Sequence, residues 1–300
     1  MPARAPGAPL NATLRGMLWM AAGGVLFIIL NGSMKKLSHE MDAWLAGFLR
    51  YAISTLLLVP PLLRGGVGGL WPRQPGLQVV RGAFHAGGMM LWFAALPLVT
   101  LAELTAIGFS GPLYISIGAV LFLHERMTGA RWTAVLVGFC GVLLVVHPFD
   151  GASFTGISFG MLLMLASSPV FAASFLTAKV LTRRERTGVM VLWQHLLVSL
   201  FFAPFALLNW TPPEGGQWAL LVFCGFVGAA GHYCMTHAFS VADISAVQTV
   251  RFLELVWAAL LGFLLFGTLP TGWTVAGGTV ILAATLALAR SESRVQTAAR

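Results

Sequence analysis

Stretches of roughly twenty residues without a Lys, Arg, Asp or Glu follow one another from Gly16 almost to the end of this chain. That is the length of helix needed to cross the hydrocarbon of a bilayer. Hydrocarbon holds no water to satisfy backbone N–H and C=O groups, so only helices or a closed barrel can span it. The runs are continuously apolar instead of alternating, which selects helices. Composition agrees: 58% of the 300 residues are hydrophobic and 9% charged, where soluble domains carry about 25% charge. The fold class is therefore an all-α polytopic membrane protein.

The chain is also written twice. Gly160–Phe171 restates Gly16–Phe27 at an offset of 144, and the register continues through Lys35 to Lys179, Arg50 to Gln194 and Pro60 to Pro204. Trp132-Thr133 returns as Trp273-Thr274 at an offset of 141. Such fixed self-similarity marks a repeated structural unit. Ten spans are expected, near 14–33, 43–63, 80–98, 101–123, 130–147, 156–178, 188–208, 217–238, 244–266 and 272–289. They form five-helix repeats over 14–147 and 156–289, joined by 148–155, with a loose tail at 1–13 and a basic tail at 290–300. The Gly- and Pro-rich stretch Arg64–Val80 is expected to be irregular.

The net charge of +8 speaks for topology, not for nucleic acid. With a cytoplasmic N-terminus, fourteen basic residues, Arg81 among them, fall in inside segments and only Lys35 and Lys36 outside. Both termini are then cytoplasmic. Five helices are an odd number, so the second repeat enters the membrane the other way round. Inverted repeats are typical of secondary transporters, whose site lies near the midplane between the halves. Leu14–Leu30 continues into this bundle and reads as a first span, not a cleavable signal.

Catalytic and metal chemistry find little support. Cys140, Cys224 and Cys234 all lie in apolar spans with no CxxC pair, as buried thiols. His232, Cys234 and His237 step by two and three, around a helix and not along one face, so no metal site is expected. No His, Asp or Cys cluster has nucleophile or ligand spacing, and no cofactor is implied. A channel is disfavoured because no span carries a repeated polar stripe.

Polar residues inside spans are costly and mark pathways or partners. Arg251 and Glu254 share a face of the ninth span, with Gln248 one turn earlier. They fit the carboxylate and ammonium of a zwitterion, or form an internal ion pair. His85, Met89 and Trp92 share a face of the third span. His85 offers a titratable group and Trp92 a stacking surface, or the stripe is packing; Trp19 and Trp257 carry the same two readings. His232, with Gly228 and Met235, is a candidate wall residue of the eighth span. Ser110-Gly-Pro112-Leu-Tyr114 makes the fourth span easy to kink, and Tyr114 joins the candidate site. Ser167-Ser168-Pro169 in the sixth span is the repeat partner of Gly23-Gly24 in the first. Pliable points at matching places in two halves indicate where a transporter binds, so Gly24 and Ser168 are counted with the site and Pro169 with the gating elements.

Local motifs carry a family likeness. Phe122-Leu-His-Glu125-Arg-Met-Thr128, Arg50-Tyr-Ala and Phe252-Leu-Glu254-Leu resemble segments of the bacterial drug/metabolite transporter superfamily, specifically its EamA-type exporters. The ninth span lacks that family's proline after Glu, and Phe266-Gly-Thr-Leu-Pro270 replaces its second Glu-x-x-Thr. The resemblance implies a cavity lined by helices 1, 3, 4, 6, 8 and 9, alternating access, and helices 5 and 10 at the periphery. It is most like the aromatic amino-acid exporter group, which implies export of small amphipathic metabolites from a bacterial inner membrane, with a monomer as the unit. Arg50 then takes a structural role, pairing with Glu103 at the outer end of the fourth helix, or else contacts substrate.

Carriers of phosphorylated sugars or cationic drugs are the alternatives. The first need clustered cations, and only Arg50 and Arg251 stand well inside; the second use an acid in the first helix, where Leu14–Ser33 has none. Proton carriers are limited to Glu103, Glu254, His85, His195, His232 and His237, so facilitated diffusion or weak proton coupling is expected.

Overall fold

The structure, a computed structural model, describes residues 12–64, 66–95, 98, 107–146, 158–208, 210–266 and 272–298. Its helices are α1 Ala12–Glu40, α2 Ala43–Leu63, α3 Pro75–Ala95, α4 Gly111–Leu123, α5 Gly129–Val146, α6 Phe159–Leu181, α7 Thr187–Leu208, α8 Gly215–Val241, a broken α9, and α10 Gly272–Ala298. A short 3-10 turn, Val67–Leu70, lies between α2 and α3. The ninth element is in three pieces: Ile244–Gln248, a 3-10 turn Thr249–Phe252, and Leu253–Phe266. These are ten membrane helices in two inverted five-helix repeats.

Several boundaries move from those read in the sequence. Proline is tolerated at a first helical position, where its missing N–H would be unbonded anyway. Pro75 accordingly starts α3 five residues before the expected 80, within a stretch expected to be irregular. This carries Arg81 two turns into the helix and away from the loop charges with which it was counted. Lys35 and Lys36 lie within α1, which runs to Glu40. The expected C-terminal tail continues α10 as helix to Ala298. Residues 107 and 108 are helical, 109 and 110 form a turn, and α4 begins at Gly111 with Pro112 in its first turn, so the chain is interrupted where the pliable Ser110-Gly111-Pro112 was expected. The linker 148–155 and Glu103 lie outside the described residues, so the expected Arg50–Glu103 pair does too.

Helix ends follow local chemistry. Asp42 caps α2 by accepting from the Leu45 N–H at 2.9 Å, and Ser158 caps α6 by accepting from that of Met161 at 3.2 Å. His124 ends α4 in the left-handed region, at φ 55°.

Packing obeys a pseudo-twofold axis. α2 lies against α7 at its centre, α1 runs along α8 as α3 runs along α6, and α5 pairs with α10. The last pair touches backbone to backbone: a Cβ on Gly277 would lie 2.5 Å from the Gly141 carbonyl oxygen. Outward-facing side chains remain apolar, Leu56 (69% exposed), Phe122 (73%) and Leu208 (82%) among them. That surface suits lipid.

Candidate functional site

At the centre of the bundle, four aromatic rings from α2, α3, α7 and α8 meet. His85 of α3 faces His232 of α8 edge-on, with ring centroids 5.4 Å apart. Tyr51 of α2 meets His195 of α7 at 5.2 Å, and these two are related by the offset of 144. The quartet is closed by His195 against His232 at 5.0 Å and by Tyr51 Oη lying 3.4 Å from His85 Nε2.

Each facing histidine is backed by a phenylalanine of the opposite repeat. Phe27 of α1 packs on His232 at 5.0 Å, and its repeat partner Phe171 of α6 packs on His85 at 5.4 Å. Glycine makes both approaches possible. A Cβ on Gly231 would meet Phe27 at 3.2 Å, and one on Gly88 would meet Phe171 at 2.8 Å.

Two buried guanidiniums flank the rings. Arg50 of α2 lies against Gly228 of α8, where a Cβ would fall 2.8 Å from Nη1, and its Cζ sits 3.8 Å from the Tyr51 ring centroid. Arg81 of α3 lies against Gln194 of α7. Arg81 Nη1 donates to the Met190 carbonyl at 2.9 Å, and Nη2 donates to Gln194 Oε1 and, at 3.4 Å, to Thr236 Oγ1. Gln194 Nε2 in turn lies 3.4 Å from His232 Nδ1.

The two pliable points expected from the repeat also face equivalent partners. Ser110 Oγ donates to Ser168 Oγ at 3.4 Å, joining α6 to the turn before α4. In the other half, a Cβ on Gly24 would lie 3.1 Å from Glu254 Cγ and 3.8 Å from Trp257. Ser110 and Glu254 stand 144 positions apart, as do Gly24 and Ser168. Glu254 is paired: Arg251 Nε donates to its Oε1 at 3.3 Å across the break in α9. Arg251 Cζ also lies 5.6 Å from the ring of Phe175, which is 6.1 Å from His85, so the ion pair adjoins the central rings.

Other expected residues are elsewhere. Trp19 packs on His237 at 4.9 Å and on Tyr233 at 6.4 Å, on the side of α8 where Tyr233 is 39% exposed. Trp92 has its adjacent neighbour Phe93 as ring partner, at 5.2 Å, and does not join His85 at the centre. Tyr114 packs half-buried against the main apolar core. Gln248 is fully buried, with neither amide atom hydrogen-bonded. Pro169 lies inside α6 one residue after Ser168.

Arg81, Tyr51, Gln194 and Thr236 are central residues that the sequence reading did not select. Tyr51 and Gln194 were within reach, since the offset of 144 carries Arg50-Tyr51 onto Gln194-His195. The end of the bundle where α1 begins was missed as well, and here it is shut. Glu125 accepts from the N–H groups of Ile244 (3.0 Å) and Ser245 (3.2 Å) and from the Ser245 hydroxyl (2.7 Å). Arg131 pairs with Asp243 at 3.1 Å, and Lys179 Nζ donates to the carbonyls of Phe239 and Ala242 at the end of α8. Thr128 accepts from the Arg131 N–H at 3.3 Å and so starts α5. Among the described residues no His, Cys, Asp or Glu group could hold a metal ion.

Comparison with known proteins fits this geometry. The EamA-like transporter family matches residues 14–147 and again 158–290. A riboflavin transporter of Rhizobium johnstonii is 32% identical over 282 residues, spanning 93% of this chain and 92% of its own. An S-adenosylmethionine uptake transporter of Rickettsia prowazekii is 27% identical, covering 95% and 96%. A pseudopaline exporter of Pseudomonas aeruginosa is 29% identical, covering 94% and 99%. A crystal structure of a protein at 19% identity matches with a TM-score of 0.78 over 95% of this chain and 98% of its own, a likeness of fold.

Proposed function

The chain belongs to the EamA-like transporter family, and from that premise we propose that it carries a small amphipathic metabolite, one joining an aromatic ring to a charged chain, by alternating access between its repeats. It is a membrane transporter of small metabolites and not an enzyme. The observation that carries the narrower reading is the quartet of Tyr51, His85, His195 and His232, with Arg50 and Arg81 beside it. Ionisable groups in a bilayer are expensive and are kept where they face a pathway. Rings at the same place favour a substrate with an aromatic face.

Export of aromatic amino acids is the smallest case of this class. Riboflavin and S-adenosylmethionine, named for two relatives, also join a heteroaromatic ring to a polar chain and widen the range. In this reading the chain works as a monomer in the inner membrane with both termini cytoplasmic. The Glu125–Ser245 and Arg131–Asp243 contacts then close the site to the cytoplasm.

The test is uptake and efflux in proteoliposomes with labelled tryptophan, phenylalanine, threonine, riboflavin, S-adenosylmethionine and a phosphorylated sugar, with and without a pH gradient. Flux of at least one aromatic compound above protein-free vesicles is expected. A panel in which none moves would sink the reading.

A further inference from the structure

Arg50 and Arg81 are 4% and 1% exposed, and neither pairs with a described carboxylate. The ion pairs found among the described residues are Arg131–Asp243 and Arg251–Glu254, and neither includes these two guanidiniums. Arg81 is fixed by three donations, to Met190, Gln194 and Thr236, yet its Nε is buried without a partner. Arg50 is fixed by the Tyr51 ring, and its Nη1 is buried without one. The central histidines keep unused ring nitrogens, since His85 Nδ1 and both ring nitrogens of His195 make no hydrogen bond, and each imidazole can donate from one nitrogen. Gln78, one turn before Arg81, is fully buried with both amide atoms unbonded.

This is a rigid, positively charged, donor-rich centre inside a bilayer-spanning bundle. A buried cation without a counter-charge is strongly unfavourable. The planar fork of a guanidinium suits an oxyanion better than any other partner. The Arg251–Glu254 pair neutralises itself and is the poorer anion receptor.

We propose that Arg50 and Arg81 form the anion subsite of this transporter, receiving a carboxylate or phosphate of the substrate with Tyr51 and the three histidines as further donors. The proposal rests on the transporter reading above and names the charge that the substrate carries. Phe171 and Phe175, each in ring contact with His85, then offer their faces to the aromatic part.

The experiment measures equilibrium binding to the full-length protein in lipid nanodiscs, using matched probes that differ in one anionic group. Indole-3-acetate against indole-3-acetamide tests a carboxylate, and riboflavin 5′-phosphate against riboflavin tests a phosphate. In at least one pair the wild type should prefer the anionic member by about tenfold or more, the range of a charge-assisted hydrogen bond. Arg50→Gln and Arg81→Gln should each bring that ratio close to one while leaving the uncharged member's affinity in place, and Arg81→Lys should restore part of it.

A second readout needs no organic ligand. At fixed ionic strength, inorganic phosphate should raise the unfolding temperature of the wild type and not that of Arg50→Gln, which in phosphate-free buffer should be no less stable than the wild type. If Arg81→Gln does not fold, Arg50→Gln and Arg81→Lys carry the test. No preference in either wild-type pair, or a preference that survives both glutamine variants, overturns the subsite. Neither readout uses flux, so a probe that is transported without charge preference rejects the subsite alone.

Discussion

His85 and His232 come from different repeats, yet their rings meet edge to face, 5.4 Å apart at 77°, each backed by a phenylalanine of the opposite half. A contact across the axis between two inverted repeats is the place where their relative motion is felt. A substrate bound at this point touches both halves at once.

Because these two side chains touch, their effects should not add. His85→Ala and His232→Ala are each expected to lower initial flux in proteoliposomes about tenfold, a coupling within the range for contacting residues. The double variant should be little worse than either single one. Fully additive losses would show that the histidines act separately. Flux is normalised to folded protein by size-exclusion chromatography.

The Arg251–Glu254 pair bridges the break in α9, with the Glu254 side chain 9% and that of Arg251 23% exposed. Removing one partner leaves the other charge buried, which costs about 3–5 kcal/mol in a fully buried pair and less here because Arg251 is partly open. Arg251→Ala should therefore lower the unfolding temperature and abolish flux of whichever compound the wild type carries. The neutral double variant Arg251→Gln/Glu254→Gln should recover the stability. Recovery of flux as well would identify an internal ion pair, and stability without flux would identify a substrate contact.

A scaffold variant separates packing from transport. The Cβ of Gly277→Ala would meet the carbonyl oxygen of Gly141 at 2.5 Å and the Val145 nitrogen at 2.8 Å, both backbone atoms that cannot turn aside. Overpacking of this kind costs about 1–3 kcal/mol. The α5–α10 pair should open and the unfolding temperature should fall, while flux per folded molecule changes less than in either histidine variant. Equal loss of flux would give this peripheral pair a part in the motion.

What the sequence disclosed and what it hid have physical reasons. Charge-free runs define spans, because backbone in hydrocarbon leaves few choices, and the repeat places Gly24 opposite Ser168. Arg81 was hidden by its position. Near a predicted loop a basic residue is counted for topology, and only the start of α3 at Pro75 shows it turned inward. Trp92 shares a helix face with His85 but lies two turns further along α3, where its ring packs on Phe93. The break in α9 left no proline to mark it, since Thr249–Phe252 tightens to 3-10 geometry without one.

The contacts at the end where α1 begins make a last prediction. Glu125 bonds three donors at the start of α9, just past the short turn from α8, and hydrogen bonds to a charged group are worth about 1.5–3 kcal/mol. Glu125→Gln keeps the size and loses the charge, so the closed arrangement should weaken by a factor of about ten or more. Ala246 is fully buried behind this turn. A cysteine introduced there as Ala246→Cys, with Cys140, Cys224 and Cys234 replaced by alanine, should react slowly with a maleimide in nanodiscs. Adding Glu125→Gln should speed that reaction about tenfold and leave the unfolding temperature nearly unchanged, because the turn opens without unfolding the bundle. The second repeat has no acid at the matching Phe266–Pro270, so no equivalent acid-to-backbone cap can form from that segment. Weakening Glu125 should then shift the protein toward the state open on the α1 side. An unchanged labelling rate would show that Arg131 and Lys179 hold the closure without it.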